Sequence, residues 1–293
     1  VITPSVLGTR ASYERVMDGW TDNTDGDAFT HTVRLTEPDR SVELRVVALP
    51  SPDYLIREAS ARALDGDVDP TALGAVPALA GVRMVGGLTR SAADAVGRGP
   101  TGTLLVDAVI EVARLARQVA KLPRAQAERA AGGDPLECWK LDTSGWIDLP
   151  DSCFTYSAEG RALFGTRTVV AQMQPDLYSP RPGQTRVFVR RKVARVERVD
   201  GRVRLLHSMH DNVHGFDLTF EIDAETGRIE RADSVTSRLP YAGICSEPQG
   251  KIRTLIGETV DAGLRRRLSG HVGGVGGCAQ LFDLTADLLK LIA

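Results

Sequence analysis

GVRMVGGLTRSAADAVGRGPTGTLLVDAVIEVARLA (residues 81–116) and GETVDAGLRRRLSGHVGGVGGCAQLFDLTADLLKLI (residues 257–292) align without a gap at an offset of 176. Gly81/Gly257, Gly87/Gly263, Leu88/Leu264, Arg90/Arg266, Val96/Val272, Gly97/Gly273, Leu105/Leu281, Asp107/Asp283 and Leu115/Leu291 are identical pairs. Upstream the match continues at an offset of 174, where Leu44/Leu218, Arg57/Arg231 and Ser60/Ser234 agree and VELRVVAL lies opposite FDLTFEI. A period this long excludes a solenoid of short units and predicts a fused pair of like domains. The expected fold is α+β: an internally duplicated unit of antiparallel β-meander packed against helices, with the two copies related by a pseudo-twofold. The expected boundaries are 1–121 for a first, degenerate repeat, 122–184 for an aromatic-containing linker or lid, and 185–293 for the second repeat.

With 293 residues the chain has room for two cores. Its 42% hydrophobic and 25% charged residues are those of a globular protein. Neither a long apolar run nor the basic and apolar regions of a leader occur in the sequence, so no membrane partner and a cytoplasmic location are expected. The net charge of −2 lacks the basic footprint that a nucleic-acid partner requires. Only five of the 36 basic residues are lysine, a bias associated with high-GC bacterial genomes.

In the second half, TRVFVRRKVARVERV and RVRLLHSMH flank Asp200-Gly201, a strong hairpin signal. His214, Phe216, Leu218, Phe220 and Ile222 then alternate with polar residues, and RIERADSVTSRL supplies a fourth strand. Helices are predicted over Pro248–Ile256, Thr259–Leu268 and Gly277–Leu291. The first half repeats this plan with strands near Phe29–Leu35, Val42–Leu49 and Tyr54–Ala61 and helices near Leu79–Val96 and Gly102–Ala120. Glycines between the last two helices of each half predict a close turn; the residues that make a phosphate-cradling loop are missing.

The linker concentrates Trp139, Trp146, Phe154 and Tyr156 in one short span of a protein that is only 5% aromatic. Such a span is expected to be buried as a wall over a groove, with Trp139, Trp146 and Phe154 as ligand-binding residues. The densest polar cluster is HSMHDNVHGF, with His207, His210, Asp211 and His214. His207 and His210 fall on opposite strand faces, whereas Asp211 and His214 meet if a turn brings them to one side. Histidine serves as a proton shuttle and a metal ligand. A hydrogen-bonded core histidine beside a turn aspartate is the plainer alternative. Cys138, Cys153, Cys245 and Cys278 contain no C-x-x-C pair and read first as buried thiols. Cys278, at the start of a helix after a glycine run, also suits a reactive thiol or a metal ligand.

Residues 186–293, with RLPYAGIC, LIGETVDAGLRRRLSG and GGVGGCAQLFDL, resemble the bacterial domain-of-unknown-function family 2889. The resemblance implies a fold unit and a candidate residue set: Asp211, His214, Pro240, Tyr241, Cys245 and Gly277-Cys278. Ala279-Gln280 stands where that family's pattern has Thr-His. The family implies no reaction.

Copy one has Arg40, Ala95 and Gly102 at the positions of His214, His271 and Cys278. Chemistry is therefore expected in copy two and the linker. The expected function is a cofactor-independent acid/base enzyme, a hydratase or dehydratase, isomerase or C–C lyase, acting on an apolar small molecule. Its catalytic residues would be His214 and Asp211, with Tyr241, Tyr156 or Cys153 as proton donor, and Cys245 and Cys278 would line the ligand site. No cofactor and no bound metal are expected, and a homo-oligomer is left open. The alternatives are a metal or iron–sulfur module built on Cys245, Cys278 and His214, or a catalytically silent partner subunit.

Overall fold

A computed structural model of the chain describes residues 4–171 and 173–292. Residues 1–3, which open the stretch read above for a leader, lie outside the described residues, as do Gln172 in the linker and Ala293 in the second repeat. The first half begins with β1 (Ser12–Asp25), β2 (Ala28–Thr36), β3 (Arg40–Ala48) and β4 (Ile56–Gly66), each antiparallel to the next. Phe29, Val33 and Leu35 on β2 and Val42, Leu44 and Val46 on β3 turn one face inward, as period-two alternation requires. β1 was not read from the sequence. Its inward positions include Arg15, Gly19, Thr21 and Asn23, so no apolar alternation marks it.

The chain then forms α1 (Pro70–Ala75), α2 (Leu88–Val96) and α3 (Pro100–Ala116). α3 buries Leu104, Leu105, Ala108, Val112 and Leu115 against the first three strands. The turn into it depends on glycine. Gly97 has φ +79°, and a Cβ on Gly102 would lie 2.3 Å from the Gly97 carbonyl oxygen.

The linker is built of α4 (Arg124–Ala131), α5 (Pro135–Gly145), α6 (Ala158–Leu163), β5 (Val170–Ala171) and α7 (Pro175–Tyr178). A second meander follows in β6 (Gln184–Val199), β7 (Arg202–Asp211), β8 (Gly215–Asp223) and β9 (Ile229–Arg238). Asp200 and Gly201 turn the first hairpin with φ of +47° and +76°, the positive pair that a two-residue type I′ turn demands. β10 (Tyr241–Ala242) pairs with β5. The segment Glu247–Leu255 forms a 3₁₀ helix where an α-helix was predicted; Pro248 at its start and Gly250 within it weaken α-helical hydrogen bonding. The chain closes with α8 (Leu264–His271) and α9 (Ala279–Leu289).

All eight long strands form one antiparallel sheet in the order β4-β3-β2-β1-β6-β7-β8-β9. The β1–β6 ladder is its central seam. Beneath it, charges from α3 and α9 interlock. Arg114 Nε lies 3.0 Å from Asp283 and Lys290 Nζ 3.2 Å from Asp107, while Lys192 Nζ sits 2.7 Å from Glu111 and 2.9 Å from Asp287. Burial pushes the Glu111 carboxyl up, but Lys192 and Arg114 outweigh it and hold the group at about 2. Among the described residues, no helix is long and apolar enough to cross a membrane.

Candidate functional site

A cavity of about 120 Å³ opens between the linker, the end of the second sheet and the start of α9. Its size is close to that of engineered cavities of ~150 Å³ that admit a single benzene ring. Trp146, Leu149 and Met173 of the linker and Val213, Phe216 and Leu239 of the second half supply apolar wall, and Arg117 and Gln118 at the end of α3 reach its rim.

One wall carries His214. The β7–β8 turn closes with Asp211 N–H donating to the His214 carbonyl at 2.9 Å, which brings the two side chains together as the sequence had suggested. His214 Nδ1 lies 3.1 and 3.2 Å from the two Asp211 oxygens. Asp211 also accepts the backbone N–H groups of Val213 (2.8 Å) and His214 (2.6 Å) and the Nε of buried Arg190 (2.9 Å). Arg190 Nη2 is 2.7 Å from the same carboxylate but off the hydrogen-bonding direction, so Nε carries the bond. Burial raises the Asp211 pKa, yet His214, Arg190 and the backbone donors together hold it well below the usual carboxylate range. Asp211 is therefore an anion that fixes the imidazole through Nδ1. The opposite ring nitrogen, Nε2, has no partner among the described residues, and the ring lines the cavity, lying against Phe216 at a centroid distance of 6.3 Å.

A second carrier of charge in the wall, Asp142, was not singled out from the sequence. It projects from α5, whose buried positions Cys138, Leu141, Asp142 and Gly145 follow the i, i+3, i+4, i+7 spacing of a helix face. That spacing was a legible signal. Three phenols close around it: Tyr178 donates to Oδ1 at 2.6 Å, Tyr156 to Oδ2 at 2.8 Å, and Tyr241 also donates to Oδ2. Burial pushes the Asp142 carboxyl up to about 6, against the downward pull of the three donors. Burial and the Asp142 charge in turn raise the Tyr156 and Tyr241 hydroxyls well above their ordinary value, so both remain protonated donors.

Among the expected site residues, His214, Tyr156, Cys153, Cys245, Cys278 and Trp146 line the cavity. Asp211 and Tyr241 stand one layer behind, each bonded to a lining residue. Trp139 and Phe154 are not among the cavity's lining residues. The Trp139 indole N–H donates to the Thr155 carbonyl at 2.8 Å and its ring stacks 6.4 Å from Tyr156, whereas the Phe154 N–H donates to Gly277 O at 2.9 Å and ties the linker to the start of α9. The three thiols are neutral. Burial pushes Cys245 up to about 12 and Cys278 up to about 11, and raises Cys153 despite nearby backbone donors. At Cys278, the helix start that favours thiolate is outweighed by burial. Cys138 lies elsewhere, under α4, donating to the Ala130 carbonyl at 2.8 Å. His207 is buried on Leu284 O at 2.8 Å, and His210 is exposed beside Asp217, so neither joins the site. Among the described residues, no three His, Cys, Asp or Glu side chains converge closely enough to hold a metal ion.

Fold and site together define an α+β protein whose cavity sets an aspartate-backed histidine in the same chamber as a phenol-caged carboxyl. Residues 172–293 match a family model described as protein of unknown function (DUF2889). The matched region contains Asp211, His214, Tyr241, Cys245 and Cys278; Asp142, Cys153 and Tyr156 precede it. No curated protein and no solved structure matches the chain.

Proposed function

We propose that the cavity is the active site of a cofactor-independent acid/base enzyme acting on a small apolar molecule by hydration or dehydration, isomerisation or C–C lysis. One observation carries this reading: an imidazole held by Asp211 with its Nε2 unpartnered among the described residues, and a carboxyl that burial raises to about 6, line a single small and mostly apolar chamber. His214, held by Asp211, takes a proton at Nε2 and becomes an imidazolium that the Asp211 anion stabilises. Asp142 gives or receives a proton at its own wall, and its phenol donors offset the charge left on it. The neutral thiols add soft, weakly polar surface. A proton-abstracting enzyme exchanges substrate C–H for C–D in D₂O. The test is NMR-detected deuterium incorporation over a panel of small unsaturated and hydroxylated carbonyl compounds, with wild type, His214→Ala and Asp142→Asn. Exchange that His214→Ala abolishes supports the reading; exchange equal in wild type and His214→Ala overturns it.

We infer further that the chain is two copies of one unit related by a pseudo-twofold at the β1–β6 seam. Supporting this, a shift of 175 residues converts the ladder pair Arg15↔Ala194 into Arg190↔Gly19, a pair of the same ladder. Corresponding anchors also recur. Gly81 and Gly257 donate to Ile56 and Ile229, each at 2.8 Å, and Val82 and Glu258 accept from the same two isoleucines at 2.9 and 2.8 Å.

A further inference from the structure

In the first half, the β2–β3 turn closes as the β7–β8 turn does: Glu37 N–H donates to Arg40 O at 2.9 Å, matching Asp211 N–H to His214 O. Arg15 on β1 donates through Nε to Glu37 at 2.9 Å, as Arg190 on β6 donates to Asp211 at the same distance. The triplet Arg15–Glu37–Arg40 thus repeats Arg190–Asp211–His214, with an arginine where the second half has its histidine. It too lines an opening, a groove of about 510 Å³ beside the start of α3.

Arg40 is the unsatisfied member. Its nearest acid is Glu37 at 3.8 Å, beyond hydrogen-bond range, and its Nε is buried with no partner. The other charges around the groove are matched. Arg10 pairs with Asp39, and Arg15 bonds Glu37 and, beyond the groove, Asp107. The groove lining thus sets three cations, Arg10, Arg15 and Arg40, against two carboxylates, Glu37 and Asp39, and leaves the Arg40 Nε without a hydrogen bond. A buried arginine donor without an acceptor is unfavourable, and a planar oxyanion relieves it by accepting from two guanidinium nitrogens at once.

We propose that the groove is a second ligand site, one that binds a carboxylate- or phosphate-bearing small molecule through Arg40. It is a binding site rather than a second catalytic one, because arginine does not exchange protons near neutral pH. The proposal stands apart from the acid/base reading of the cavity.

The test is a titration of the full chain with acetate and with inorganic phosphate, followed by isothermal calorimetry and by NMR shifts of the arginine side chains. Saturable binding of either anion is expected, and the tighter of the two identifies which oxyanion the site prefers. Arg40→Gln should weaken it by roughly tenfold or more, and Arg40→Lys, which keeps the charge but loses the fork, by less. His214→Ala should leave anion affinity unchanged, which separates this site from the cavity. Thermal melts of each variant confirm folding. Non-saturable binding, or equal affinity in wild type and a folded Arg40→Gln, overturns the proposal; so does loss of binding in His214→Ala.

Discussion

Replacing Asp142 with asparagine asks whether burial or the three phenol donors sets the charge of this carboxyl. Burial moves its pKa from 3.8 to about 6. At about 1.4 kcal/mol per unit, the ionised group disfavours the folded state by about 3 kcal/mol. Because the folded-state pKa is the higher one, this contribution to stability is present below pH 3.8 and is lost as pH rises through about 6. Wild type should therefore gain about 2 kcal/mol of this on Asp142→Asn as pH falls from 7.5 to 4.5, the remainder coming only below pH 3.8. Absolute stability slopes the other way. Burial holds His31 down to about 3 and His207 down to about 4, and stability from these neutral rings is lost as pH falls below 6.5. Taking the difference between the two proteins removes that background. Asparagine offers one acceptor oxygen to three phenols, which adds an offset that does not vary with pH. Urea unfolding of both proteins at pH 7.5, 6.5, 5.5 and 4.5, followed by tryptophan fluorescence, measures the slope of the difference. A flat difference, or one in which wild type loses ground on acidification, would mean that the donors win and that Asp142 is an ordinary low-pKa anion.

His214→Ala should reduce the proposed activity by about 10²–10⁴-fold while moving Tm little, because Asp211 keeps Arg190 and two backbone donors. A large fall in Tm with activity per folded molecule unchanged would return His214 to the core. Asp211→Asn removes the counter-charge of Arg190, whose side chain is 1% exposed, and should destabilise by about 3–5 kcal/mol in chemical denaturation; a loss under about 1 kcal/mol refutes the pairing argument. With Cys245 and Cys278 held near 12 and 11, native protein at pH 8 should react with a disulfide reagent at least ~100-fold more slowly than unfolded protein, and rapid stoichiometric labelling contradicts this. Gly277→Ala would put a Cβ 2.2 Å from Val272 O and should distort the start of α9, seen as a lowered Tm and broadened signals from the cavity residues; an unchanged Tm would show that the turn can relax.

Most of the fold was legible because its strands and late helices bury one face each. Asp200-Gly201, the alternation from His214 to Ile222, and the leucines of α9 mark their elements without tertiary information. β1 was not legible, since Arg15 and Asn23 face inward to bind Glu37 and backbone carbonyls, partners remote in sequence. The His214 side of the site was legible because turn and strand bring Asp211 close in sequence. On the Asp142 side only the helix-face spacing of α5 was legible: the partners Tyr156, Tyr178 and Tyr241 lie on three separate segments, and nothing local announces their convergence. The aromatics of the linker mark a segment that supplies part of the cavity wall. Their labour is divided, however, with Trp146 and Tyr156 facing the cavity and Trp139 holding Tyr156 in place.

The seam between β1 and β6 also bears on how the chain is made. β1 ends at Asp25 and its neighbour begins at Gln184, so a ribosome working at roughly 5–20 residues per second leaves β1 unpaired on that side for on the order of ten seconds. Throughout that interval a 14-residue strand edge is open to any other nascent chain. Glu14, Arg15, Asp18 and Asp22 stand along it, and charges of both signs on an exposed edge discourage pairing with a foreign strand. The polarity that hides β1 from pattern reading thus protects the newborn first half until its own partner strand emerges.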